Sequence, residues 1–110
     1  MNKIFKIIIS LTFVFSASAA LAGIPEFTTE IKDHKFNPAE IEVPAGKKFK
    51  LIVKNLDKTI EEFESHDLRK EKIVGGGKTI TVIIRPLKKG EYKFVGEFHE
   101  ETAKGKLIAK

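Results

Sequence analysis

The chain contains no cysteine and no tryptophan, and it has only one tyrosine and one methionine. Without a thiol there is no disulfide, no lipid-anchoring cysteine and no thiolate ligand for a metal. An exported domain of this size often leans on disulfides; here the apolar core must hold the fold alone. One tyrosine and no tryptophan leave little for stacking nucleic-acid bases. Long hydrophobic runs are scarce too. The longest, Ile7 to Phe15, is broken by Ser10 and Thr12 and falls well short of the roughly 20 residues a membrane helix needs. No helical period runs long enough to argue for a helical bundle.

What is present begins with a segment unlike the rest. Lys3 and Lys6 precede the apolar run, and small residues follow it from Ser16 to Ala22. That order reads as a secretory signal peptide over residues 1–22, with an Ala-x-Ala cleavage site. The expectation is an exported protein, periplasmic or secreted, whose mature domain spans residues 23–110. Cleavage lowers the formal net charge from +5 to +3. The lysines do not cluster. In Lys48-Phe49-Lys50-Leu51-Ile52-Val53-Lys54 they alternate with apolar residues, as on a solvated sheet face. Nucleic acid is therefore excluded as a partner.

From Phe27 onward the chain reads as short strands separated by turns. Strands are expected over Phe27 to Ile31, Ala39 to Val43, Lys47 to Lys54, Lys78 to Arg85, Glu91 to Phe98 and Lys106 to Ala109. Glu61 to Ile73 is mixed and fits a short helix or an irregular strand. Asn37-Pro38, Pro44-Ala45-Gly46, Asn55-Leu56-Asp57 and Gly75-Gly76-Gly77 mark turns. Short strands with regular turn signals point to an all-β sandwich or barrel of about seven to eight strands. The glycine triplet leads into the β-branched run that starts at Lys78-Thr79, so it is a turn and not the phosphate loop that precedes a helix.

Two polar clusters carry possible chemistry. Glu61-Glu62-Phe63-Glu64-Ser65-His66-Asp67 places four carboxylates and an imidazole within seven residues. In extended backbone Glu61, Phe63 and Ser65 share one side, and Glu62, Glu64 and His66 the other. The second cluster is Glu97-Phe98-His99-Glu100-Glu101. Either could be a solvated loop. Together they could bind a cation, because a sandwich can bring both loops to one end.

Residues 27–110 resemble the cupredoxin-like domains of exported bacterial proteins. Phe36-Asn37-Pro38-Ala39-Glu40-Ile41-Glu42-Val43-Pro44-Ala45-Gly46 is similar to that family's opening strands, Asn55-Leu56-Asp57 to its N-x-D turn, and Gly105 to Ala109 to its closing strand. The resemblance implies a Greek-key sandwich. It also implies where a blue-copper site would fall: the first histidine ligand on Glu61, the cysteine on Gly96, the second histidine on His99, and the methionine around Thr102 to Lys104. Three of those four ligands are missing, so a blue site is excluded. Cysteine-free domains of this kind, often called EfeO-type, occur in bacterial iron uptake. The resemblance thus implies an exported metal-binding protein with a Glu/His site for Cu(II) or Fe. Its implied partner is a membrane metal or iron permease or an accessory protein of one. A copper-dependent ferroxidase and a metal-free interaction module are the alternatives. The expected ligands are Glu61 and His99, with Glu97, Glu62 or Glu100 completing the shell. His66 is second in rank, and His34 lower still.

Overall fold

The computed structural model describes residues 23–110, and the signal peptide expected over residues 1–22 lies outside them. Nine strands form: β1 (Glu26–Lys32), β2 (Lys35–Asn37), β3 (Glu40–Val43), β4 (Phe49–Asn55), β5 (Glu61–Ser65), β6 (Lys70–Val74), β7 (Thr79–Ile84), β8 (Gly90–Gly96) and β9 (Lys104–Ala109). A 3-10 turn, Glu97–His99, follows β8. The strands make two sheets, ordered β2-β1-β4-β7 and β3-β9-β8-β5-β6. The chain crosses between them, so that β1 runs parallel to β4 and β3 parallel to β9, while the remaining pairs are antiparallel.

Alternation drives this arrangement. On β4, Phe49, Leu51 and Val53 are buried, and Lys54 faces outward. Val82 and Ile84 of β7 and Leu107 and Ala109 of β9 repeat the pattern. The two inner faces bury one apolar core. At its centre Phe36 meets Phe94 edge-on at 4.9 Å and Phe63 edge-on at 6.4 Å, and Phe63 lies tilted 5.2 Å from Phe94. Edge-to-face pairs at these spacings match the quadrupole preference of aromatic rings.

The strand count exceeds the expected seven to eight for two reasons. Asp33 and His34 both adopt positive φ, 52° and 58°, the two-residue hairpin turn that matches strand twist. That turn folds Lys35–Asn37 back on β1 as β2. The mixed stretch Glu61 to Ile73 resolves into the β5–β6 hairpin, with Glu64 opposite Glu71.

The strand expected over Glu91 to Phe98 ends early: β8 stops at Gly96, the 3-10 turn breaks the alternation, and Phe98 is 49% exposed. The glycine triplet is a packing device. A Cβ on Gly76 would lie 2.0 Å from the Lys58 carbonyl oxygen, and Gly77 N donates to the Asp57 carbonyl at 2.9 Å. Only glycine lets these two backbones touch.

Candidate metal centre

β5 carries two sets of side chains to opposite sides of its sheet. Glu61, Phe63 and Ser65 are buried, while Glu62 and Glu64 face outward and are partly exposed. This alternation, read from the sequence, separates the candidate ligands into two places.

The inward site lies at the loop end of the sandwich. The Glu61 side chain is only 2% exposed. Its Oε1 accepts the backbone N–H of Glu62 and of Phe98, each at 2.9 Å. Its Oε2 accepts Nδ1–H of His99 at 2.6 Å, the short spacing of a charge-assisted bond. His34 stacks on the face of the His99 ring, with ring centroids 3.5 Å apart and planes 11° from parallel. The turn that delivers His34 is held by Asp57, whose carboxylate accepts the backbone N–H of Asp33 at 2.8 Å and of His34 at 3.0 Å. Burial works against ionisation of Asp57, but these donors from His34 and Asp33 outweigh it and hold its carboxyl below the usual range. Asn55 fixes the same loop. Its side-chain amide donates to the carbonyls of Thr59 and Val74, and its oxygen accepts Asp57 N–H.

The family's type 1 copper does not fit this site. There is no cysteine in the chain, and a Cβ on Gly96 would lie 2.7 Å from Glu61 Cδ and 2.8 Å from Ala103 Cβ. The Glu61 carboxyl fills the space a ligand at position 96 would need.

The outward site gathers different residues. One carboxylate oxygen from each of Glu62, Glu64, Glu71 and Glu97 lies within 4.8 Å of the others. The register explains the crowding, since Glu64 and Glu71 are directly opposed across β5 and β6. Like charges so placed destabilise a sheet unless something neutralises them. Glu97 enters from the 3-10 turn at the end of β8. Its Oε2 is shut off from solvent and, among the described residues, is the one buried side-chain polar atom with no hydrogen-bond partner while the neighbouring carboxyls are ionised. Contact with the Glu97 carboxyl, aided by partial burial and by Glu71, pushes Glu62 up to about 7. Glu64 is raised for the same first cause, and Glu97 is lowered by its contacts with Glu62 and Glu64. A cation or a shared proton would satisfy the group.

The expected residues therefore divide. Glu61 and His99 meet across 38 positions of sequence. Glu62 and Glu97 belong to the outward cluster instead. Glu100 is exposed, and His66, with its side chain 95% exposed, only approaches Glu64 at 3.7 Å. Glu71 is absent from the expected set, and His34 stands low in it. Glu64 was visible in the acidic run on the same side as Glu62, but its opposition to Glu71 needed the hairpin register.

The Cupredoxin-like domain family matches residues 5–109. An uncharacterized protein of Rickettsia prowazekii (strain Madrid E) is 53% identical over 86 residues, which cover 78% of this chain and 69% of that protein. Among solved structures, auracyanin A, a blue copper protein from Chloroflexus aurantiacus, aligns with a TM-score of 0.67 at 15% identity, over 80% of this chain and 100% of its own. The metal-binding domain of the Streptococcus pneumoniae D39 Cu(I)-exporting P-type ATPase CopA aligns with a TM-score of 0.69 at 14% identity, over 81% of this chain and 88% of its own. At these identities the two structures show a shared fold. With its two-sheet sandwich and a family match spanning nearly the whole sequence, the chain belongs to the cupredoxin-like domain family.

Proposed function

We propose that this protein is an exported metal-binding protein, accessory to iron or copper uptake, that holds its cation on Glu62, Glu64, Glu71 and Glu97. One observation carries the reading: four carboxylates converge, among them Glu97 with a buried oxygen that has no partner unless a neighbouring carboxyl holds a proton or a cation binds. The donor set is all oxygen, which suits harder or borderline ions such as Fe(III), Mn(II) or Cu(II) and disfavours Cu(I). The copper proteins that share the fold support metal handling in general. Export rests on the pattern of residues 1–22 and is tested by mass spectrometry of the mature N-terminus. The proposed partner is a membrane metal permease or its accessory protein, tested by co-purification from solubilised membranes.

Thermal melts test the site itself. An ion at a hundredfold excess over its Kd adds about 2.7 kcal/mol, a rise of about 10–20 °C for a domain of this size. Such a rise is expected with Fe(III), Mn(II) or Cu(II), smaller in Glu64→Gln and smallest in Glu97→Gln. A wild-type midpoint that no ion moves rejects the site and favours a metal-free interaction module. Oxygen-dependent conversion of Fe(II) to Fe(III) by the copper-loaded protein would favour the ferroxidase alternative.

The same cluster predicts a pH dependence in chelator. Glu62 is raised in the folded state to about 7 from 4.5, so folding takes up a proton between those values. The stability it contributes is complete below about pH 4.5 and is lost as pH rises through about 7. Glu97, lowered, has the opposite sign, and its contribution fades as pH falls through its folded value. The midpoint is expected to decline from pH 5.5 to 8, with the decline flattened in Glu97→Gln. Cation affinity should rise over that window, because the metal displaces the bound proton. A profile with no Glu97-dependent slope would contradict the shared-proton account.

A further inference from the structure

We infer that the Glu61 carboxylate is a built-in substitute for the family's metal, tying β5 to the loop after β8 so that this end of the sandwich is ordered with no ion bound there. The inference stands apart from the outward cluster and uses none of its residues as ligands.

Three observations support it. The first is position. The Glu61 carboxyl lies where a side chain on Gly96 would begin, with Cδ 2.7 Å and Oε2 2.8 Å from the Cβ that glycine lacks. By resemblance, position 96 is the family's cysteine, and its thiolate space is thus occupied by protein. The second is connectivity. Oε1 accepts from Glu62 and Phe98, and Oε2 from His99. One carboxylate therefore joins the first residues of β5 to the 3-10 turn, elements that are far apart in the chain. The third is saturation. Two atoms that share an ion at 2.0–2.2 Å each lie about 3 Å apart or more at ordinary coordination angles. Oε2 and Nδ1 are 2.6 Å apart, the spacing of a hydrogen bond with the proton between them. The carboxylate is already satisfied, whereas Glu97 Oε2 is not.

The arrangement also sets the direction of His99. With Nδ1 donating inward, Nε2 is the nitrogen on the far side of the ring, and stacking on His34 limits rotation of that ring. Glu61 is thus a positioning residue that fixes which nitrogen of His99 carries the inward proton.

The test uses wild type, Glu61→Gln and Glu61→Ala, in EDTA and with one equivalent of Zn(II), followed by thermal melts and by nitrogen-15 NMR of the imidazoles. In EDTA the Glu61→Ala midpoint is expected to fall by about 10 °C or more, since removing one partner of a buried pair strands the others. In wild type the His99 Nδ1 proton is expected to persist after Zn(II) is added. In Glu61→Gln the amide can face His99 with its N–H, and the proton then moves to Nε2; this signature would not follow from loss of packing alone. The account is overturned if Zn(II) displaces the Nδ1 proton in wild type, or if both variants match wild type in EDTA and differ only with metal. Should Glu61→Ala not fold, the NMR of wild type and Glu61→Gln decides. Loss of the Zn(II)-induced midpoint shift in Glu97→Gln but not in Glu61→Gln separates the fate of the outward site from this one.

Discussion

Replacing Gly96 by cysteine is expected to destabilise the protein by about 2–3 kcal/mol, as overpacking of a filled core does, and to give no intense blue band with Cu(II). The backbone is not the obstacle. Gly96 sits at φ −90° and ψ 106°, ordinary extended geometry for any residue. The obstacle is the space beyond Cα, where the Glu61 carboxyl and Ala103 Cβ both lie under 3 Å from the new Cβ. Ala103 is fully buried, and Gly96 N donates to its carbonyl at 2.9 Å, so it is held in place. Glu61 would have to yield, breaking hydrogen bonds to Phe98 and His99 that nothing else can supply. The double variant Gly96→Cys with Glu61→Ala removes the clash with Glu61 and leaves the one with Ala103. In a double-mutant cycle it should lose less than the sum of the single losses, by about 1 kcal/mol or more. Urea denaturation of the four proteins measures that coupling. Strict additivity, or a blue band in the single variant, would mean that Glu61 does not hold this space.

The sheets were legible in the sequence because alternation is a local signal. Phe49, Leu51 and Val53 announce β4, and the inward set Glu61, Phe63 and Ser65 announces which side of β5 each acid takes. The meeting of Glu61 with His99 came only from family resemblance, since no periodicity links positions on β5 and after β8. The grouping of Glu62 and Glu97 with that pair did not follow from alternation. Glu62 sits one residue from Glu61 and so points the other way. Glu97 is two residues from His99, but the 3-10 turn between them sends one to the outer face of the sheet and the other to the loop end. Glu71 could not be found without the pairing that sets it against Glu64. His34 depended on a turn in which Asp33 and His34 both take positive φ. Aspartate and histidine tolerate that region better than most residues, yet the charged run Lys32-Asp33-His34-Lys35 reads equally well as an open loop.

Truncating Phe63 to alanine should have the largest effect of any substitution outside the polar clusters, a loss of about 3–5 kcal/mol, and it should weaken cation binding as well. Phe63 is fully buried and packs against Phe36 of β2 and Phe94 of β8, so its ring links both sheets. Its backbone pairs with Lys72 on one side and Gly96 on the other. The ring is therefore the anchor for the stretch of β5 that carries Glu62 and Glu64 on its outer face. Without it, the cavity among Phe36 and Phe94 loses dispersion contacts that no neighbour can restore. The four carboxylates, which repel one another, then lose the rigid backing that keeps them together. Phe63→Leu is the control: it keeps most of the volume and should cost about 1.5 kcal/mol or less. Urea denaturation checks the stability, with an unchanged m-value showing that the folded and unfolded states are otherwise alike. Metal titration of the folded fraction checks the second effect, with affinity expected to fall at least severalfold in Phe63→Ala and to change little in Phe63→Leu. A loss under 1 kcal/mol would contradict the packing argument. Full affinity in a folded Phe63→Ala protein would show that the carboxylate cluster is organised independently of the core beneath it.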